Sequence, residues 1–91
     1  MHYVYLLKSK NFSNRTYVGY TRDLKKRLSQ HNAGDSLHTA RYMPWKLHAY
    51  FAFKHEHLAI RFEKYLKSHS GRAFASKHFW DFSHENKECC F

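Results

Sequence analysis

Cysteine, acidic side chains and long apolar runs are scarce in this chain, and each shortage excludes a class of protein. The 91 residues include two cysteines, Cys89 and Cys90. Neighbouring cysteines seldom meet the geometry of an unstrained disulfide, and the pair lacks the spacing of a metal site. No apolar run approaches the length of a membrane span, and the N-terminus lacks the apolar segment of a signal peptide. These absences predict one domain in a reducing, cytoplasmic setting, away from membranes.

The shortage of acids leaves the chain strongly basic. Sixteen Lys and Arg residues against seven Asp and Glu give a net charge of +9, spread along the whole sequence. An excess of this size favours a polyanionic partner, with nucleic acid ahead of an anionic membrane surface. At 43% hydrophobic and 19% aromatic, the chain has enough apolar area to fold unaided. No protein partner can be inferred.

Apolar periodicity predicts an α/β (α+β) domain over residues 1–80 and a loosely ordered tail at 81–91. Thr21 is the expected N-cap of a helix that runs to about Asn32, and Ser70-Gly71 is expected to end the next helix. The remaining elements are predicted as strands at His2–Leu7, Arg15–Tyr20 and Trp45–Phe53, a mobile loop at Gly34–Pro44, and helices at His55–His69 and Arg72–Phe79.

Helical spacing places three charged or titratable residues at the edges of the apolar faces of the predicted helices. Arg27 and His31 are four residues apart and share one side of the first predicted helix, at the border of core and solvent. Glu63 lies beside the apolar face of the second predicted helix. Taken singly, the two basic residues suggest solvated surface and Glu63 suggests a flanking salt bridge. Tyrosines in a hairpin are likewise usual in a core.

Two short tyrosine-containing segments in the predicted hairpin favour a catalytic site over solvated surface, a salt bridge or core packing. Tyr3-Val4-Tyr5 and Tyr17-Val18-Gly19 resemble the strings that give the GIY-YIG nuclease family its name, with Tyr3 where the family has its first Gly. The helix with Arg27 and His31 resembles the family's first helix. Glu63-Lys64-Tyr65-Leu66-Lys67, followed by Ser70-Gly71-Arg72-Ala73-Phe74, is similar to its small stand-alone members. Together these elements extend from about residue 2 to residue 79.

The resemblance implies a three-stranded antiparallel sheet flanked by helices and an endonuclease that hydrolyses phosphodiester bonds with one divalent cation, Mg²⁺ or alternatively Mn²⁺. Glu63 would hold the cation, and Tyr17 would help to deprotonate the attacking water. Tyr5 would position that water or the phosphate, Arg27 would stabilise phosphate charge, and His31 would shuttle a proton. Gly19 would let the strand lie close to the substrate.

Further basic residues are expected to hold the sugar-phosphate backbone without reading sequence. They are Lys8, Lys10, Arg15, Lys25, Lys26, Lys46 and Arg72. Trp45 and Tyr42 could stack on unpaired bases or belong to the core, which is the favoured reading. The expected substrate is DNA, and single-stranded DNA is one possibility. RNA stays open, as do roles in DNA repair, mobile elements and defence.

Two other classes compete with the enzyme. One is a catalytically silent basic module of the same fold that only binds nucleic acid. The five candidate catalytic side chains argue against it. The other is an interaction protein whose charge serves solubility alone. A gel assay with and without Mg²⁺ separates the first alternative from a nuclease, and the second predicts no DNA affinity at moderate salt.

Overall fold

A computed structural model describes residues 1–12 and 14–80 of the chain. These residues form three strands and four helices, in the order β1 (His2–Ser9), β2 (Thr16–Thr21), α1 (Leu24–Asn32), α2 (Leu37–Ala40), β3 (Trp45–Phe53), α3 (Glu56–Lys67) and α4 (His69–His78). No helix in this part of the chain combines the length and apolar character needed to cross a bilayer. The predicted tail at 81–91 lies outside the described residues, and the domain boundary stays a prediction.

The strands form an antiparallel sheet in the order β2-β1-β3, which confirms the predicted three-stranded sheet among the described residues. Tyr5 at the centre of β1 lies opposite Gly19 on β2 and Tyr50 on β3. Because side chains alternate along a strand, Tyr5 and Leu7 point to one face of the sheet and their neighbours point to the other.

Apolar side chains cover both faces of the sheet. On one face Val4 and Leu6 pack with residues of α3 and α4, among them Leu66 and Ala75. On the other face Tyr5, Leu7 and Trp45 pack with Leu24 and Leu28 of α1. Helices α1 and α3 therefore lie on opposite sides of the sheet, and β2 is an edge strand that side chains from both layers can reach.

Two local predictions differ from the structure. Asp23, not Thr21, caps α1: its carboxylate accepts a hydrogen bond from the Lys26 amide at 3.1 Å. The hydroxyl of Thr21 instead accepts from the Asp23 amide at 3.1 Å, which fixes the turn before the helix. Ser70-Gly71 does not end a helix, because Ser68 ends α3 and its hydroxyl accepts from the Gly71 amide to begin α4.

The expected loop at Gly34–Pro44 contains the short helix α2, which is tied to the rest of the fold. The indole of Trp45 donates to the carbonyl oxygen of Thr39 at 2.8 Å. The side-chain amide of Asn32, at the end of α1, pairs with the backbone of Trp45 in both directions. Trp45 is 4% exposed, so it belongs to the core, as the favoured reading predicted. These bonds hold α2 against α1, where the candidate site lies.

Candidate active site

A chain of hydrogen bonds joins three of the residues singled out in the sequence. The Tyr5 hydroxyl lies 2.9 Å from Nε2 of His31, and Nε–H of Arg27 donates to the same hydroxyl over 3.3 Å. Tyr5 comes from the central strand, while Arg27 and His31 share one side of α1, one turn apart. Spacing of four residues on a helix therefore brings both basic side chains onto one phenol.

His31 is completely buried and does not lie at the border of core and solvent, as its spacing had suggested. Burial of both ring nitrogens is possible because each has a partner: Tyr5 at Nε2 and the Thr39 hydroxyl at Nδ1, 2.7 Å away. Thr39 also lies 3.5 Å from the carbonyl oxygen of Ser36, to which its hydroxyl donates.

The protonation states follow from this burial. Burial, and then the neighbouring charge of Arg27, lower the pKa of His31 from its ordinary value of 6.5, so the ring is neutral at neutral pH. A neutral ring carries one N–H. With Nδ1–H donating to Thr39 and the Tyr5 O–H donating to Nε2, every group in the chain has a partner. Burial raises the pKa of Tyr5, although the hydrogen bond from Arg27 opposes it.

Tyr17 stands beside this chain, in a position that solvent can reach. Its ring centroid lies 5.0 Å from that of His31 and 6.2 Å from that of Tyr5. Tyr17 is half-buried and lines an open cleft, whereas Tyr5 is 1% exposed. Of the two phenols, Tyr17 is therefore the one that a substrate can contact directly.

Gly19 provides the space that the two phenols fill. A Cβ atom built on Gly19 would lie 2.5 Å from both Cζ and the hydroxyl oxygen of Tyr5, and 2.9 Å from Cε2 of Tyr17. Real Cβ atoms essentially never approach other heavy atoms within 3.0 Å. A side chain at position 19 would therefore displace the rings of both tyrosines.

Glu63 approaches the cluster from α3, on the other side of the sheet. Its carboxylate lies 2.6 Å from Nζ of Lys67, one turn further along α3. The same Nζ lies 5.8 Å from the centroid of the Tyr17 ring. The charge of Glu63 also contributes, as a minor cause, to the raised pKa of Tyr5. Lys67 therefore lies close to both the Glu63 carboxylate and the Tyr17 ring.

The donor set at Glu63 fits a hard divalent cation that takes most of its ligands from elsewhere. Mg²⁺ is commonly held by one or two carboxylates together with waters and substrate phosphates. The Glu63 side chain is 18% exposed, so solvent can reach part of it. Within residues 1–12 and 14–80, no group of three or more His, Cys, Asp or Glu side chains could hold a metal ion.

The basic residues predicted to contact nucleic acid are distributed over several surfaces. Arg72 lines the cleft beside Tyr17. Lys8 and Lys46 are partners in the β1–β3 register, and the guanidinium of Arg15 lies 4.8 Å above the Tyr42 ring. The remaining members of this set are exposed: Lys10, Lys25 and Lys26. Within this set, Arg72 is the residue that shares a cleft with Tyr17.

Two residues of the site were missed from the sequence. Thr39 lies in a segment too short for a helical period, and no pattern pointed to it. Lys67 did carry a signal, because a lysine four residues after Glu63 on a helix is placed to form an ion pair.

Comparison with known proteins identifies the family to which this sequence is similar. Residues 1–77 match the family model described as the GIY-YIG catalytic domain. A UPF0213 protein of Streptococcus pyogenes serotype M5 (strain Manfredo) is 38% identical over 72 residues, which cover 78% of this chain and 76% of the relative. A UPF0213 protein of serotype M3 (strain SSI-1) matches to the same extent.

A solved structure agrees with the fold. The solution NMR structure of a UPF0213 protein from Bacillus halodurans superposes with a TM-score of 0.51 at 31% sequence identity, covering 94% of this chain and 92% of that one. Together with the match to the family model, it confirms both the resemblance and the α+β fold predicted from the sequence.

Proposed function

The chain belongs to the GIY-YIG family, and we propose that it is a cytoplasmic, metal-dependent endonuclease that hydrolyses phosphodiester bonds in DNA. GIY-YIG nucleases act on nucleic acid and generally use a divalent metal, which makes nuclease activity the starting expectation for this domain. The observation that supports the proposal most directly is the buried chain Arg27–Tyr5–His31–Thr39 beside an accessible Tyr17. Titratable groups with shifted pKa values that converge in this way are concentrated at functional sites.

We assign the handling of the attacking water to Tyr17, the phenol that lines the cleft. In hydrolysis the water oxygen bonds to phosphorus, the bond from phosphorus to the leaving sugar oxygen breaks, and that oxygen takes up a proton from solvent. A free phenol titrates near pH 10, so it is a poor base at neutral pH. Tyr17 therefore has to pass a proton on as it receives one from the water.

The Tyr5–His31 pair is suited to receive that proton. Nε2 of His31 faces the Tyr5 hydroxyl at 2.9 Å, and its neutral ring can accept the phenol proton. Tyr5 would then take the proton relayed from Tyr17. The first transfer leaves the net charge of the Tyr5–His31 pair unchanged, and Arg27 stabilises the phenolate. The proton from Tyr17 then leaves the pair with one positive charge, on His31, which returns its proton to solvent after the cleavage. In this scheme Tyr5 acts behind Tyr17 and does not contact the phosphate.

Glu63 would hold the divalent cation, Mg²⁺ or Mn²⁺. When bound, the cation supplies Lewis-acid stabilisation of the phosphate charge. Arg27 would contribute to the same task from α1, through guanidinium N–H groups that suit phosphate oxygens. The net charge of +9 supports a polyanionic substrate.

The rival proposal is a silent module that binds nucleic acid without cutting it. The experiment compares the wild type with Glu63→Gln on single- and double-stranded DNA and RNA, with Mg²⁺, with Mn²⁺ and in EDTA. Glu56→Gln is the matched control, since Glu56 begins the same helix but accepts from the Tyr20 hydroxyl at 3.2 Å. Glu63→Gln should lose detectable cleavage and still retard DNA in a gel, while Glu56→Gln should cut normally.

Two results would contradict the proposal. Cleavage at the wild-type rate by Glu63→Gln would remove the carboxylate from the site. A wild-type protein that retards DNA but cuts no substrate with either ion would leave the binding module as the function.

A further inference from the structure

A cleft opens beside Tyr17, on the side of the candidate site that faces α3 and α4. Its volume is about 440 Å³, within the range of roughly 300–1,000 Å³ that small-molecule sites occupy. Side chains of β2, α3 and α4 line it, including Tyr17, Leu66, Lys67, Arg72 and Ser76, and Trp80 follows just after α4. The cleft is therefore continuous with the phenol assigned to the attacking water.

Two cations give this cleft the charge of an anion site. Lys67 lies near both Glu63 and the Tyr17 ring, and 48% of its side chain is exposed. Arg72 is exposed and lines the same cleft. An ammonium group has three N–H donors, so Lys67 can contact Glu63 and a phosphate oxygen at once. A guanidinium and an ammonium that line one cleft are a common arrangement for phosphate.

The cleft also contains an aromatic side chain. Trp80 is half-buried and lines the cleft. Its indole stacks on His48 of β3 with ring centroids 4.9 Å apart, and Nε2–H of His48 donates to the Phe79 carbonyl oxygen. Cations beside an aromatic ring are what proteins use to bind single nucleotides of a strand, through the phosphate and the face of the base.

We propose that this cleft is a nucleotide subsite: it holds the nucleotide next to the scissile phosphate, with its phosphate on Lys67 and Arg72 and its base against Trp80. The proposal rests on the proposed endonuclease function. It adds a defined position for the substrate strand, which passes from Tyr17 toward α4. It also makes Lys67 a substrate-binding residue.

The test measures binding of a thymidine trinucleotide in EDTA, where no cleavage occurs, by tryptophan fluorescence. Trp45 is buried, so quenching should come from Trp80, and Trp80→Phe should abolish it. Lys67→Met keeps the apolar stem and removes the charge, and it should weaken binding about tenfold, the loss expected for one charge-assisted contact. Lys64→Met is the matched control on the exposed side of the same helix, and it should change binding less than about twofold.

The outcomes separate the subsite from the proposed function. Equal weakening by Lys67→Met and Lys64→Met, in a chain that does cut DNA, would overturn the subsite and leave the nuclease standing. The same would follow if an acidic peptide of equal charge quenched Trp80 as strongly as the trinucleotide. Trinucleotide binding that depends on Lys67, in a chain that cuts nothing, would support a nucleotide site and contradict the nuclease. Thermal unfolding of each variant checks that it is folded.

Discussion

Replacing Gly19 with alanine tests whether the two phenols must keep their present positions. The new Cβ would lie 2.5 Å from the Tyr5 ring, and ordinary contacts begin at 3.4 Å. The ring must therefore move by about 0.9 Å, or β2 must move away from β1 by a similar distance. Tyr5 has little room to move, because it is 1% exposed and bonded to both Arg27 and His31.

The expected cost follows from these contacts. Overpacking of a buried site typically costs about 1–3 kcal/mol, and the lower backbone entropy of alanine in the unfolded chain offsets about 0.4–1 kcal/mol of it. A net loss of about 1–2 kcal/mol should lower the Tm of a domain of this size by roughly 5–15 °C. A displacement near 1 Å in a catalytic cluster should lower the rate of cleavage about 10²-fold.

The assay is DNA cleavage with Mg²⁺ at a temperature well below the Tm of every variant. Gly34→Ala is the matched control, since Gly34 has φ +80° and its added Cβ would lie 3.6 Å from Met43, at ordinary contact distance. The left-handed backbone should cost about 1–2 kcal/mol without reaching the site. Both variants should lose similar stability, but Gly19→Ala alone should lose activity. Wild-type cleavage by Gly19→Ala would refute the geometry of the tyrosine pair.

Two further predictions concern His31. Thr39→Val removes the partner of the His31 Nδ1–H, so the free energy of unfolding should fall by about 1–3 kcal/mol and the pH–kcat profile of the folded variant should shift. Thr39→Ser should restore both. An unshifted profile in Thr39→Val would limit Thr39 to packing. The lowered pKa of His31 means that the unfolded chain binds more protons, so stability present above about pH 6.5 should fall as the pH drops below that value. Denaturant unfolding between pH 8 and 5 should show this slope, and a slope of equal size in His31→Gln would assign it elsewhere.

Sequence patterns predicted the main elements because those elements are long enough to repeat a period. β3 has the predicted bounds, Trp45–Phe53, and β1 ends two residues later than the prediction. The caps were harder to predict, because Thr21 and Asp23 are both good capping residues and only the backbone decides which one meets the Lys26 amide. The helix α2 has four residues, too few to show a period.

The same difference between local spacing and long-range packing decides which features of the candidate site could be predicted. Arg27 and His31 could be paired from their spacing, because a helix relates residues four apart. The depth of His31 could not be predicted, since it depends on Thr39, whose contact with the imidazole is set by packing between distant segments. The roles of Tyr5, Tyr17, Arg27, His31 and Glu63 remain predictions for the experiments above to test.

The arrangement of α1 and α3 on opposite sides of the sheet ties the proposed activity to complete folding. In the proposed enzyme the guanidinium of Arg27 comes from one layer and the carboxylate of Glu63 from the other. A half-folded intermediate that has closed a single layer would lack one of them. In the proposed enzyme, cleavage would therefore require that both layers have packed on the sheet.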